Sequence, residues 1–335
     1  MIMERILMGH GSGGRLMHEL VDSMFIKRFN NPVLGQRKDS GIVSLGSCEL
    51  AFTTDSYVVD PIFFPGGDIG SLAVYGTVND LAVCGAAPKY ISLGLIIEEG
   101  LDRKTLDRIS FSIARASRIS GVKVVTGDTK VVGHGSCDKI FINTSGIGPV
   151  FYKTLSLETV RPGDAIILSG TLGEHAIAVL SKREEMEFGG RLISDSAPLN
   201  GLIRKVLGLS KKVRFMRDPT RGGLGTTLNE FVRGRSFGIS IDESSIPVSS
   251  AVRQASELLG LDPLYLACEG RTVLVVAEED AGRVLKAMRK DPAGRRSALV
   301  GRITREYKGM VYMNTCAGGI RIVDMLSGEQ LPRIC

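Results

Sequence analysis

The 335-residue sequence contains no tryptophan, and aromatic residues make up only 6% of it. Aromatic platforms for single-stranded nucleic acid are therefore not expected. No uninterrupted apolar run approaches the roughly 18 residues of a membrane span, and the first five residues lack the apolar core of a signal peptide. The net charge of +6 is small, so a solvated basic face explains it. We expect neither nucleic acid nor membrane as a partner.

Common metal and nucleophile motifs are missing too. The six cysteines are scattered without C-x-x-C spacing, which argues against a zinc site and against a secreted disulfide framework. We expect reduced thiols in a cytoplasmic protein, with Cys48, Cys84 and Cys268 as small core residues. The four histidines show no ligand spacing, their positions suggest no Ser-His-Asp triad, and no Walker A motif occurs.

What is present is a glycine-rich globular composition. Hydrophobic residues make up 43% of the chain, and 41 glycines indicate many tight turns. Both halves alternate short β-prone runs with helical apolar spacing, which predicts an α+β fold with two domains. We divide the chain into a glycine-rich lid (1–40), a first α+β domain (41–155), a second α+β domain (156–325) and a mobile tail (326–335).

Three acids in the first domain follow apolar segments. Asp55 follows Thr54, Asp80 follows Asn79, and Asp128 lies in Thr126-Gly127-Asp128-Thr129-Lys130. Each alone is more simply a cap or turn residue. Together, with Asp39 as a fourth, they offer the hard oxygen ligands that Mg²⁺ takes beside substrate phosphates. Lys130 could then bind a phosphate as a point charge.

A second phosphate-binding pattern lies at residues 216–230, where Asp218, Thr220, Arg221, Gly222 and Gly223 precede an apolar helix. Thr220 can cap that helix, and the two glycines let backbone N–H groups approach an anion at the helix N-terminus. The alternative is a plain capped helix.

The loop around Gly11 and Gly13 could likewise wrap phosphates or simply be a mobile N-terminal loop.

Two further residues stand out. Glu269 lies in a turn between apolar segments and could act as a general base if its cleft is dry; a simple turn carboxylate is the alternative. Cys335 ends a polar, Gly328-containing stretch that Pro332 stiffens. An extended tail of ten residues reaches roughly 33 Å. The thiol could therefore enter a cleft on a movable arm, or the segment could be an ordinary frayed terminus.

These motifs together resemble the HypE family of hydrogenase-maturation proteins, within the aminoimidazole ribonucleotide synthetase-like ATP-binding superfamily. The matching segments are 9–21, 53–60, 65–85, 126–130, 218–230, 267–271 and 332–335. Sister families such as selenophosphate synthetase and thiamine phosphate kinase share the acidic motifs, whereas the terminal Pro-Arg-Ile-Cys is typical of HypE. Arg271 stands where a lysine is also familiar.

The resemblance implies a homodimer that pairs N-terminal strands into a barrel, with ATP and Mg²⁺ in the cleft between domains. It implies that the carbamoyltransferase HypF loads Cys335 with a carbamoyl group. ATP-dependent dehydration would turn this group into an S-cyanide, which the HypC–HypD complex would receive for the iron of a [NiFe] hydrogenase. Asp55, Asp80 and Asp128 would hold metal, and Glu269, with Asp80 as a rival, would be the base.

Two alternatives remain at this level. An enzyme of the same superfamily could act on a free small molecule, such as an aminoimidazole precursor or selenide, and would tolerate loss of residues 331–335. A nucleotide-binding scaffold without activity would instead use Arg333 and Ile334 to dock a partner.

Overall fold

The computed structural model describes residues 5–188, 192–328, 331 and 333–335, so the predicted stiffening at Pro332 lies outside the described residues. The α-helices of the described chain, labelled in order, are α1 Arg15–Leu20, α2 Lys27–Phe29, α3 Ile69–Val83, α4 Arg103–Ser120, α5 Glu174–Arg183, α6 Asn200–Leu209, α7 Gly223–Val232, α8 Ser250–Leu259 and α9 Glu278–Arg289.

The strands of the described chain are β1 Gly41–Leu45, β2 Cys48–Tyr57, β3 Phe63–Phe64, β4 Gly67–Asp68, β5 Tyr90–Glu98, β6 Lys123–Val132, β7 Ile140–Pro149, β8 Ala165–Leu168, β9 Val213–Arg217, β10 Gly238–Asp242, β11 Val273–Val276, β12 Ala298–Thr304, β13 Val311–Asn314 and β14 Ile320–Val323.

The first domain is built on a five-stranded sheet with the order β1-β2-β7-β5-β6. Side chains alternate between its faces, so Thr53, Asp55 and Tyr57 of β2 point towards α3. The opposite face carries Phe52 and Ile96, which are 50% and 44% exposed. One face of the sheet therefore packs on helices, and the other lies open in the single chain.

Helix α3 lies between the two domains. Asp68 caps its N-terminus by accepting hydrogen bonds from the N–H groups of Gly70 and Ser71, because those groups have no partner within the helix. Most of the helix is buried on all sides, as expected for an element covered by a sheet and by a second domain. Its Asn79 donates to the carbonyls of Ala197 and Glu269 and accepts from the N–H of Leu199. This amide therefore joins the domains.

The second domain is built on a seven-stranded sheet with the order β14-β13-β10-β12-β8-β11-β9. Strands β8 and β11 are central and buried on both faces, which agrees with their continuous apolar runs. One face packs on a core that includes Phe231 of α7, and the other packs on a core that includes Leu202 of α6. The sheet is thus covered by helices on both faces.

Most predicted elements are present, with some errors of detail. Strands β9 and β14 were not predicted, because both are short and carry charged residues among their apolar ones. Cys84 and Cys268 are buried as predicted, but the prediction for Cys48 is wrong, because this residue is exposed beside the β1–β2 turn. None of the six cysteines forms a disulfide. In the described part of the chain, no helix combines the length and apolar character that crossing a membrane requires.

Candidate active site

A cavity of about 620 Å³ lies between the N-terminal segment, the first sheet and the second domain. Four of the predicted acids line it, each brought there by a different element. Asp39 precedes β1, Asp55 lies in β2, Asp80 in α3 and Asp218 just after β9. Residues that are up to 179 positions apart in the sequence thus meet in a single site.

Asp55 and Asp80 form a tightly coupled pair. The hydroxyl of Thr53 donates to Asp80 Oδ2 at 2.7 Å, and the hydroxyl of Thr77 donates to Asp55 Oδ2 at 3.2 Å. Burial raises the pKa of Asp80 well above its ordinary value, and the neighbouring charge of Asp55 raises it further. Burial likewise raises the pKa of Asp55, which Arg221 partly offsets. Both carboxyl groups therefore bear a desolvation cost when they ionise, and the neighbouring acids add to this cost for Asp80.

Asp39 is tied to the second domain through Arg217. The Nε of Arg217 donates to Asp39 Oδ1 at 2.7 Å, and its Nη1 donates to Glu230 Oε2 at 2.5 Å. Glu230 also contacts His18 of the N-terminal segment at 2.8 Å. Burial raises the pKa of Asp39 to about 6, although Arg217 opposes the shift. This ion-pair network joins the N-terminal segment, β1 and α7 around one guanidinium group.

Glu269 and Asp218 add two more buried carboxyl groups. Burial raises the pKa of Glu269 to about 8, with a further contribution from the charge of Asp195. The backbone of Glu269 is held at both ends, because its N–H donates to Asp195 Oδ1 and its carbonyl accepts from Asn79. Burial also raises the pKa of Asp218 well above its ordinary value. Glu269 is therefore shielded from solvent, as a general base would need to be, although it is not among the residues that line the acidic cavity.

The phosphate-binding pattern is placed at the N-terminus of α7, with one correction. Thr220 does not cap the helix with its side chain; instead its carbonyl accepts from the N–H of Gly223, and Gly222 is the N-cap. Gly222 and Gly223 have φ of +76° and +61°, a region that favours glycine. A side chain on Gly223 would meet the carbonyl of Leu264 at 2.6 Å. The close backbone approach explains the glycine pair.

The glycine-rich N-terminal loop lies directly on Arg221. Gly13 has φ of +81°, and a side chain there would meet Arg221 Cβ at 2.6 Å. Gly11 accepts a long contact of 3.5 Å from Arg221 Nη1. The loop is therefore packed against the helix-α7 pattern, as a cover for the same cavity would be.

The C-terminal residues are docked in a second cavity of about 550 Å³. The N–H of Val58 donates to the carbonyl of Cys335 at 3.1 Å, and the N–H of Asp60 donates to the carbonyl of Arg333 at 3.2 Å. Ile334 is buried in a hydrophobic core that combines first-domain residues with residues of α5 and α8 of the second domain. In this structure residues 333–335 are thus packed into the fold.

Arg221 connects the two cavities, because it lines both of them. The negative charge at Cys335 is the largest contribution that raises the pKa of Arg221, followed by those of Asp55 and Glu269 once burial has lowered it. One guanidinium group therefore interacts with the C-terminal residue, an acid of the predicted metal site and the proposed base.

The structure does not bring Asp128, Lys130 and Thr54 into this cluster. The register places Asp128 in one row with Gly94, Asn143 and Ser56, on the open face of the sheet, whereas Asp55 points the other way. Three strand spacings of about 4.8 Å separate β6 from β2. Asp128 and Lys130 pair with each other at 3.2 Å and are 69% and 70% exposed. Thr54 is exposed on the same face, beside Asn143.

No three His, Cys, Asp or Glu side chains within residues 5–188, 192–328, 331 and 333–335 are arranged to hold a metal ion by themselves. Several residues of the site carry no motif of their own in the sequence. Arg217, Asn79 and Asp195 position the predicted acids, and their only sequence signal is proximity to motifs, since each acts through contacts distant in sequence.

Comparison with known proteins places this architecture in a class. Two family models match, namely the N-terminal domain of AIR synthase related proteins at residues 37–150 and their C-terminal domain at residues 161–314. The chain is thus built from the two domains of the AIR synthase-related class.

Three similar proteins indicate the family within this class to which the chain belongs. The carbamoyl dehydratase HypE of Cupriavidus necator is 49% identical over 333 residues, 99% of this chain and 95% of that protein. A crystal structure of hydrogenase maturation protein HypE in complex with ATP has 46% identity and a TM-score of 0.83, covering 99% of this chain and 100% of that one. A HypE–HypF complex gives 42% identity and a TM-score of 0.86, covering 92% and 99%. The chain belongs to the HypE family of carbamoyl dehydratases.

Proposed function

We propose that this chain uses ATP to dehydrate a carbamoyl group carried on the sulfur of its own Cys335, leaving an S-cyanide. The observation that carries the proposal is the docked C-terminus. Cys335 lines a cavity that shares Arg221 with the acidic cavity, so a group on its sulfur can meet a nucleotide held there. A HypE relative that was crystallised with ATP supports the same assignment.

The chemistry needs a better leaving group than an amide oxygen. Transfer of the γ-phosphoryl group to that oxygen breaks the terminal P–O bond of ATP, releases ADP and makes phosphate the leaving group. Loss of the two N–H protons and of phosphate then converts S–C(=O)NH₂ into S–C≡N. The balanced result is thiocarbamate plus ATP giving thiocyanate, ADP and phosphate.

Residues of the chain itself would bind the phosphates and take the protons in this reaction. Arg221 and the backbone N–H groups at the N-terminus of α7 would hold the phosphates, with Asp218, Thr220, Gly222 and Gly223 forming that turn. Gly11 and Gly13 would close over them. Glu269 would take the N–H protons, since its pKa of about 8 makes it a better base than an ordinary carboxylate, and Asp80 is the rival.

Magnesium fits the buried acids, and this is our proposal for Asp39, Asp55 and Asp80. These are hard oxygen donors whose pKa values are raised by burial, so a bound cation would offset the cost of ionising them. Mg²⁺ commonly completes its shell with waters and substrate phosphates, so a preformed protein cage is not required. When bound, the ion would neutralise charge on the transferring phosphoryl group.

In a homodimer, these residues could take part in the proposed reaction: Asp128, Lys130 and Thr54. They lie on the open sheet face that also exposes Phe52 and Ile96. A second copy that closes a barrel would cover this face and could bring Asp128 and Lys130 to the nucleotide of the other protomer. Their predicted metal, phosphate and nucleotide contacts would then form between protomers.

The proposed partners follow from the relatives. HypF would load Cys335, in line with the HypE–HypF complex, and the HypC–HypD complex would accept the cyanide. Loading and delivery require residues 326–335 to leave the cavity, and residues 1–40 to act as a lid over the domains at 41–155 and 156–325. Six cysteines without a disulfide suit a cytoplasmic setting.

Mass spectrometry of the C-terminal peptide tests the proposal directly. After incubation with HypF, carbamoyl phosphate and ATP, the peptide should gain a carbamoyl group and then lose one water in an ATP-dependent step. Deletion of residues 331–335 should abolish ATP turnover, whereas an enzyme for a free small molecule would keep it. ATP binding to the carbamoylated chain without phosphate release would instead support a scaffold and refute the proposal.

A further inference from the structure

We propose that His175 is a positioning residue for the reaction, because it holds the main-chain carbonyl of Ile334 and thereby places Cys335 beside Arg221. The inference rests on the proposed function and adds a residue that none of the predicted motifs contains. His175 lies in the first turn of α5, in the second domain, and is fully buried.

The contacts of His175 define its tautomer. Nε2 lies 2.8 Å from the carbonyl oxygen of Ile334, and Nδ1 lies 2.8 Å from Oγ of Ser194. A carbonyl oxygen can only accept, so Nε2 carries the hydrogen and donates it. Oγ of Ser194 accepts from the N–H of Ser196 at 3.0 Å and can donate its own hydrogen to Nδ1. These contacts satisfy both nitrogens of a neutral imidazole.

The surroundings keep the ring in this state. Burial lowers the pKa of His175, although the nearby charge of Asp195 acts in the opposite direction. The ring of Phe64 packs against the imidazole edge-to-face, with centroids 5.3 Å apart. Ser194 is itself anchored, because its N–H donates to the carbonyl of Pro65 at 2.8 Å. The donor that meets Ile334 is thus held by the β3–β4 hairpin region as well as by α5.

Hydrogen bonds to the main chain hold residues 333–335 in place. Three consecutive carbonyls, those of Arg333, Ile334 and Cys335, accept from Asp60, His175 and Val58 respectively. Two of these donors are main-chain N–H groups of the first domain, and the third is a side chain of the second domain. Arg183 of α5 also donates from Nη2 to the carbonyl of Arg333 at 2.7 Å. His175 and Arg183 therefore both tie the terminal residues to the second domain, where Arg221 and Glu269 also lie, and His175 holds the carbonyl next to Cys335.

Loss of this donor leaves a buried carbonyl without a partner, which costs enough to shift the docked state about tenfold. We expect His175→Phe, which keeps an aromatic ring beside Phe64, to slow single-turnover dehydration of the carbamoylated full-length chain about tenfold. The apparent affinity for ATP should stay unchanged, because His175 does not line the acidic cavity. Alkylation of Cys335 by iodoacetamide should become faster. His175→Gln, whose amide can donate to the same carbonyl, should restore much of the rate.

The matched control is His134→Gln, since that side chain is 91% exposed and should leave both rates unchanged. If wild-type protein fails to dehydrate its carbamoylated tail, the proposed function fails and the dehydration comparison has no reference. If wild type works and His175→Phe matches it in both dehydration and alkylation, the positioning role is overturned.

A spectroscopic readout covers the case in which a variant does not fold. In histidine-labelled wild-type protein, ¹⁵N–¹H correlations should show His175 neutral with its hydrogen on Nε2. Removal of residues 333–335 should shift the Nε2 signal and leave that of His134 in place. An Nε2 signal that ignores the removal would refute the contact with Ile334.

Discussion

The substitution Glu269→Gln gives the sharpest test of the proposed chemistry. Glu269 is fully buried, and its pKa is raised to about 8, chiefly by burial. A base must be ionised to accept a proton, so at pH 7 only about one tenth of the molecules carry an active Glu269. The single-turnover dehydration rate of the wild-type chain should therefore rise about tenfold from pH 6 to pH 7 and level off above pH 8. Bound Mg²⁺ would move this limb to lower pH without removing it.

Glutamine keeps the size of the side chain but cannot take a proton. We expect Glu269→Gln to lower the dehydration rate by about 10² to 10⁴, the usual contribution of a positioned base. The residual dehydration rate of the variant should no longer rise between pH 6 and pH 8. The assay is rapid quenching of carbamoylated protein mixed with saturating ATP, followed by mass spectrometry of the C-terminal peptide. Glu99→Gln, at an exposed position, is the matched control. An unchanged pH limb in Glu269→Gln would refute the assignment, and a limb lost in Asp80→Asn would transfer the role to Asp80.

Glu269→Gln should also change the stability of the chain when no ligand is bound. A carboxyl group whose folded-state pKa is raised binds its proton more tightly in the folded chain than in the unfolded one. The free energy of unfolding of the wild-type chain therefore falls as the pH rises from the unfolded-state pKa of 4.5 towards the folded-state pKa of about 8. Glu269→Gln should therefore be more stable than wild type, by a margin that grows through this window. Urea unfolding at pH 5 and pH 8.5 measures it, and an equal margin at both values would contradict the pKa shift.

Further predictions concern the metal, the dimer and the α7 turn. Mg²⁺ added at pH 6 to the chain with ATP should release more protons than Mg²⁺ added to ATP alone, because it favours the ionised forms of buried acids such as Asp39, and a pH-stat trace without this excess would argue against the metal site. Mixed Asp128→Ala and Glu269→Gln protomers should regain activity that neither has alone, since one intact site forms per heterodimer; no recovery would place Asp128 outside the partner's site. Gly223→Ala should destabilise the chain by roughly 1–3 kcal/mol in thermal unfolding, because φ is positive and the Leu264 carbonyl lies close, whereas Gly201→Ala, in open space, should not.

The sequence predicted the parts of the site whose signal is local. Asp80 and Glu269 could be singled out because each lies in a short motif of small and polar residues between apolar runs. Long helices were also predictable, since the period of α4 and α9 is strong and both are bounded by clear end signals. The resemblance then supplied the reaction, which composition and periodicity alone do not contain.

Contacts distant in sequence could not be predicted. The face of β6 that carries Asp128 depends on strand register and on an irregularity between Ile91 and Ser92, and a shift of one residue turns every side chain to the other face. His175 meets Ile334 across 159 residues, with no motif at either end. The capping role expected of Thr220 failed for a related reason, because two positive-φ glycines let the chain turn after it and begin the helix three residues later.

The docked C-terminus has a kinetic consequence. A substrate joined to its catalyst by peptide bonds reaches the nucleotide at a local concentration that dilution of the protein does not change. Each chain should then convert its load in a first-order step, once per loading, and saturation by substrate has no meaning for it. Throughput would be governed by how often the arm is refilled and emptied, so the abundance of the loading and accepting proteins would set the output.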